Sequence, residues 1–189
     1  LNPSGVDVLK RKGVMSPMGD PTVIEDNKVY TSQLIDIAVR ENGIYSVLGQ
    51  AEGKVFTYSR DGELMYVFGS YGDRLGQFSQ PVALDVLDNE IYLVVDSKDN
   101  HIITFKPTKY GKIITNAIEF YYNKQYAEAG NEWAKALQYT SKSELVYNGY
   151  AKAEFKKGNY SLAMKYFKLA QKRGDATTGY SAAFENYRN

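Results

Sequence analysis

The sequence predicts a mixed fold in which β and α structure are segregated, antiparallel strands first and helical hairpins after. Three observations predict it. The stretch from Phe68 to Phe105, FGSYGDRLGQFSQPVALDVLDNEIYLVVDSKDNHIITF, holds three short apolar runs, Val82–Leu87, Ile91–Val95 and Ile102–Phe105. Asp, Asn and Ser clusters bound them, which is how an antiparallel meander reads. Slid back by 47 residues, this stretch meets itself. From Gly111 onward apolar residues recur every three or four positions, the helical period, and a second self-match carries Ala117 onto Ala151.

The β part reads in order as follows. Leu1-Asn2-Pro3-Ser4-Gly5 followed by Val6–Leu9 parallels Tyr58–Tyr66, so the chain enters at the end of a preceding unit. Residues 15–31, rich in Pro, Gly, Asp and Asn, form an irregular connection with one strand expected around Lys28–Thr31. In the 47-residue match, Ile91-Tyr92 falls on Ile44-Tyr45, Val94 on Val47, His101–Phe105 on Lys54–Tyr58, and Val82–Leu84 on Ile35–Ile37. Gly49 stands in the place of Asp96 and Gly53 in that of Asn100. A turn is made by Asx side chains or by glycine, so the shape is expected to survive. Ser59-Arg60-Asp61-Gly62 is a hairpin signal leading into an outer strand, Glu63–Phe68. The second copy has no such strand after Phe105-Lys106-Pro107.

The residues Gly69, Gly76, Phe78, Pro81, Asp96, Ser97, Asn100, Ile102 and Phe105 together resemble the NHL repeat, one blade of a β-propeller. The resemblance implies two antiparallel blades over residues 1–111. Two blades do not close a ring, which takes about four to eight.

Residues 112–189 read as a helical domain, with helices at about Lys112–Tyr122, Tyr126–Thr140, Lys142–Lys156 and Tyr160–Arg173 and a fifth from Ala176, capped by Asp175. The second self-match sets Ala117 on Ala151, Ala129 on Ala163, Trp133 on Phe167 and Ala136 on Ala170. The stretch KKGNYSLAMKYFKLA, Lys156–Ala170, resembles the tetratricopeptide (TPR) repeat. Lys124 departs from it where glycine is usual, so a less regular first turn is expected. The fifth helix, with Tyr180, Ala183, Phe184 and Tyr187 on one face, is expected to cap the second repeat.

Composition excludes several chemistries. The chain has 189 residues, a formal net charge of +1 and no cysteine. That removes disulfides and thiolate chemistry, and no global field points to nucleic acid or a membrane surface. The charge is uneven: residues 1–111 carry 11 Lys/Arg against 15 Asp/Glu, residues 112–189 carry 12 against 7. No apolar run spans a bilayer, and the chain opens on Leu1 rather than Met, which reads as a piece of a longer protein.

Chemistry-bearing residues are few. His101, the one histidine, is a candidate base or ligand, but Lys54 stands there in the other copy, and a basic residue at a turn–strand junction is the better account. Asp96, Asp99 and Asn100 offer too few oxygens for a calcium cage and suit hairpin closure. Asp36 and Asp85 fall in strands that a propeller places near its channel. Asn148, Lys152 and Lys156, at i, i+4 and i+8, share one helix face. In the family resembled, that face lines a groove and holds a partner's carboxylate; otherwise it is a solvated basic stripe.

The expectation is therefore a non-enzymatic protein-interaction or scaffold segment with no cofactor, binding a protein or peptide with an acidic or carboxylate end. Propeller followed by helical repeats resembles certain bacterial envelope proteins in which a membrane region of the Yip1 type follows. The alternatives are part of a propeller lactonase or lyase, and glycan binding around Tyr71 and Phe78. Open blade edges, with apolar faces around Val47, Val55, Val94 and Ile102, lead to an expectation of self-association or of helices folding over the open side.

Overall fold

The computed structural model of the chain describes residues 22–25, 28–31, 33–98, 100–140, 143–170 and 175–188, with side chains placed from 33 onward other than at 175–178. It is β first and α after, in two compact units that part between Pro107 and Thr108.

In the first unit β1 (Thr22–Glu25) and β2 (Lys28–Thr31) form a hairpin, β2 on the expected strand. Next, β3 (Leu34–Val39), β4 (Tyr45–Gly49), β5 (Lys54–Tyr58) and β6 (Leu64–Phe68) make a four-stranded antiparallel sheet in chain order. Finally β7 (Pro81–Leu87), β8 (Ile91–Asp96) and β9 (His101–Phe105) make a three-stranded one. The 47-residue match holds at the level of register. Leu34 pairs with Gly49 and Pro81 with Asp96; a bulge follows in both; Tyr45 pairs with Tyr58 and Tyr92 with Phe105. Gly53 and Asn100 both take a left-handed backbone, φ 58° and 51°. The turn thus keeps its shape whether glycine or Asx makes it.

Alternation decides how the sheets stack, because successive side chains point to opposite faces. Leu84, Tyr92 and Val94 of the second sheet meet Ala38, Leu48 and Val55 of the first, with Phe78 completing the core. Phe68 of β6 lies 4.8 Å from the Tyr92 ring and 5.0 Å from that of Phe105. Val47, Phe56 and Tyr58 form a separate cluster on the other face of the first sheet. This corrects the expectation of exposed faces around Val47, Val55, Val94 and Ile102: the first three are buried and only Ile102 is open, at 60%. Val47 and Val94 are repeat-equivalent and point the same way. In a stack of two sheets one of them faces into the shared core and the other away from it.

The loop between the sheets is fixed by hydrogen bonds. Phe78 N–H donates to Ser70 O, Gly72 N–H to Phe78 O, and Gln77 Nε2 to Ser70 Oγ. Gly69 admits the buried Phe78 ring, which would come within 2.4 Å of any Cβ there. At the far end of the core, Asp96 binds the loop to β8: its carboxylate accepts from the N–H groups of Ser79, Gln80 and Lys98.

The second unit is α1 (Lys109–Tyr122), α2 (Tyr126–Ala136), α3 (Glu144–Lys156), α4 (Tyr160–Ala170) and α5 (Asp175–Arg188). Helix α1 starts three residues earlier than expected because Thr108 Oγ1 accepts from Gly111 N–H at 3.1 Å, a cap that Gly111 disguised. Helix α2 stops at Ala136, short of Thr140, and continues only as turns through Tyr139. The helical self-match is a structural repeat: Ala117 and Ala151, Ala129 and Ala163, Trp133 and Phe167, and Ala136 and Ala170 are all buried. Gly149 lets Trp133 lie flat on α3, since a Cβ there would stand 2.4 Å from the indole. The first inter-helix turn is as regular as the second, against expectation. Lys124 takes φ 63° where Gly158 takes 84°, and Gln125 N–H donates to Phe120 O as Asn159 N–H does to Glu154 O. Helix α5 packs on α4 through Ala183, while Phe184 and Tyr187 on the same helix stay open.

Candidate partner-binding site

Helix α3 carries the site residues expected from sequence. Ser143 starts it, its hydroxyl accepting from Val146 N–H at 3.4 Å. Val146, Ala151 and Ala153 are buried. This leaves Asn148 and Lys152 half-buried and Lys156 exposed along one row. Asn148 and Lys152 are engaged by other groups of the protein, so a ligand would exchange partners there rather than fill a vacant pair. The Lys156 ammonium stands 6.0 Å from the Phe155 ring centre, within reach of a weak cation–π contact.

The opposite side of α3 is built for rigidity. Glu154 is buried, accepts from Lys157 Nζ at 2.7 Å and from Asn159 Nδ2 at 2.6 Å, and lies against Gly130 of α2. A buried carboxylate is tolerable when it is paired in this way. Burial, then Glu154, then Tyr166, pushes the Tyr150 phenol above its ordinary pKa. The Tyr150 ring meets that of Tyr166 edge-on at 4.7 Å. These contacts hold the α3–α4 hairpin as one body and so fix the row of Asn148, Lys152 and Lys156.

In the sheet unit the candidate aspartates Asp36, Asp85 and Asp96 accept from backbone N–H groups. His101 opens β9 opposite Asp96, where Lys54 opens β5 opposite Gly49. A shallow cavity of about 230 Å³ lies beside it, lined in part by Asp73, Arg74, Asp96 and His101. The Asp96 carboxylate faces backbone N–H groups, as a hairpin clamp does. Asp99 lies outside the described residues, and among those described no three His, Cys, Asp or Glu side chains gather as a metal would need. Asp36 Oδ2 accepts from Leu84 N–H at 2.8 Å, tying β3 to β7, and Asp85 Oδ1 accepts from Val86 N–H.

One buried group escaped the sequence reading. Arg40 is buried, and its guanidinium donates to Tyr92 Oη and, at 3.4 Å, to Tyr66 Oη, with the Tyr92 ring centre 4.9 Å away. Ser46 and Thr57 complete the cluster, 2.9 Å apart and within 3.4 Å of Tyr92 Oη. The signal was present in the repeat, where apolar Leu87 is the counterpart of Arg40.

No protein-family model matches the chain, and neither does any curated protein. Among the described residues no helix is long and apolar enough to cross a membrane.

Proposed function

We propose that the chain is a non-enzymatic protein-interaction segment. The two sheets are consecutive propeller blades of the NHL kind, the helices are a TPR array, and α3 receives a partner segment bearing an acidic or free C-terminal carboxylate. The observation that carries this reading is the row of Asn148, Lys152 and Lys156 on a helix that packs against α2 and α4 and buries Val146, Gly149, Ala151, Ala153 and Glu154. A carboxylate set among an amide and two ammonium groups gains charge-assisted hydrogen bonds, each stronger than a neutral one. The repeat-equivalent burial in the helices and the shared register of the two sheets support the architectural part. Such a segment belongs to a larger, membrane-associated bacterial protein in this reading.

The test is fluorescence anisotropy of an Asp/Glu-rich peptide with a free C-terminus, alongside the same peptide amidated. The reading expects weak binding that amidation reduces and that Lys152→Glu/Lys156→Glu abolishes. Binding that is unchanged in the double variant would return the row to a solvated basic face.

A further inference from the structure

We infer that the cavity between loop 72–79 and β9 is a binding site for a small hydroxylated carboxylate. The 47-residue repeat shows what is special about this place. Where the second sheet has Ile103, the first carries Phe56, whose ring passes 3.2 Å from the point at which a Gly49 Cβ would stand. The second sheet has Asp96 in the place of Gly49 and the shorter Ile103 in the place of Phe56. Both exchanged residues line the cavity of about 230 Å³, together with Asp73, Arg74, Gln77 and His101. Its walls are fixed. Both Asp96 oxygens are taken by the N–H groups of Ser79, Gln80 and Lys98. Gln77 Oε1 accepts from Arg74 N–H at 3.0 Å, its Nε2 donates to Ser70 Oγ, and its own N–H donates to Arg74 O. The backbone that carries Arg74 is thereby held before any ligand arrives, which lowers the ordering cost of binding.

The ligand class follows from the groups left over. Among the described residues the side chains of Asp73, Arg74 and His101 make no hydrogen bond or ion pair within the protein, and all three are exposed at the cavity. The Arg74 guanidinium is a planar fork that matches the two oxygens of a carboxylate, and the His101 ring adds a further N–H. The Asp73 carboxylate only accepts, so it calls for a ligand hydroxyl. A doubly charged phosphate would meet the charges of Asp73 and Asp96 in the same space, and like charges set together are costly. A single carboxylate carries half that charge. The volume lies below the roughly 300–1,000 Å³ of sites for drug-sized ligands, which limits the occupant to a short hydroxy acid or one sugar acid. Binding by so few atoms is weak, with a Kd of about 1 mM. This site belongs to the sheet unit and stands or falls apart from carboxylate binding by α3.

Amide chemical shifts of the isotope-labelled whole chain, titrated with glycerate, gluconate and glucuronate to about 20 mM, test it. At least one of the three acids should move the Leu75, Gly76 and His101 amides in a saturable way. Glucose, which lacks the carboxylate, and inorganic phosphate should leave them in place. Arg74→Ala should weaken binding about tenfold or more and His101→Ala about threefold or more, with the remaining amide shifts unchanged because both side chains are exposed. Ile103→Phe, which restores the residue of the first sheet, should fill the cavity and abolish binding. Lys54→Ala, at the repeat counterpart of His101, and Lys152→Glu/Lys156→Glu should leave it as it was. No saturable shift with any of the acids, glucose or phosphate binding as tightly as they do, or binding untouched by Arg74→Ala or by Ile103→Phe would overturn the inference.

Discussion

Lys124 holds a backbone conformation that an L side chain resists, φ 63°, at the turn where the second hairpin uses Gly158. The left-handed region costs a non-glycine residue roughly 1–2 kcal/mol. Lys124→Gly should therefore stabilise the helical unit by about 1 kcal/mol, less the added freedom of the unfolded chain. Gly158→Ala should destabilise it by a similar amount, and by backbone alone, since nothing lies within 4 Å of the added Cβ. Urea titrations of the two variants check both signs, and a destabilised Lys124→Gly would mean that the lysine side chain itself holds the turn. Tyr58 is a second residue whose surroundings set its chemistry. Its ring stacks on Tyr45 at 5.3 Å and its buried hydroxyl has no hydrogen-bond partner among the described residues. Burial, with Tyr45 adding to it, raises its pKa far above the ordinary phenol value. In the folded chain the phenol stays protonated while the unfolded chain ionises near pH 10. The stability this group contributes is thus fully present below about pH 10 and falls as pH rises beyond it. Tyr58→Phe should flatten that alkaline loss and leave neutral-pH stability level or slightly higher, because an unbonded hydroxyl is lost. An unchanged slope of stability against pH between about 9 and 11 would refute it.

Strands and helices were legible because each rests on a pattern within a short stretch of chain. β4, β5, β8 and β9 fall where alternation and turn chemistry put them, and α2 and α4 match from end to end, Tyr126 on Tyr160 and Ala136 on Ala170. What the sequence could not show is which face of a repeated sheet meets which neighbour. Val47 and Val94 read alike and lie in different clusters. The Arg40 cluster escaped for the same reason, since it assembles from β4, β5, β6 and β8 and the end of β3, and exists only once the sheets stack. The candidate row on α3 was legible because four-residue spacing alone defines it, whereas the engagement of Asn148 and Lys152 inside the protein was not. The Arg40 cluster also carries the prediction at this scale. Tyr92→Phe removes a hydroxyl that receives a hydrogen bond from Arg40 and touches Ser46, Thr57 and Tyr66. It leaves a buried cation with poorer company, at a cost of about 1–3 kcal/mol. Arg40→Met/Tyr92→Phe removes the cation as well, and should recover part of that loss. A double variant no more stable than Tyr92→Phe alone would contradict this account of the cluster.

Over the whole chain, charge and contacts divide at nearly the same place. The acidic balance of residues 1–111 and the basic balance of 112–189 bracket the parting between Pro107 and Thr108. Each unit has a core of its own: the sheets close on Phe78, Tyr92 and their neighbours, the helices on Ala151, Ala163 and Phe167. Units with separate cores unfold separately unless a large apolar interface joins them. The chain offers a built-in probe for this, because its one tryptophan, Trp133, is buried within the helical unit. Destabilising the sheets with Tyr92→Phe should lower the urea midpoint followed by hydrogen exchange of β4 and β8 amides. The midpoint followed by Trp133 fluorescence should stay where it is. Lys124→Gly should do the reverse, moving the fluorescence midpoint and leaving the strand amides unaffected. If either substitution moves both signals together, the chain unfolds as one cooperative body and the division into two units has no energetic meaning.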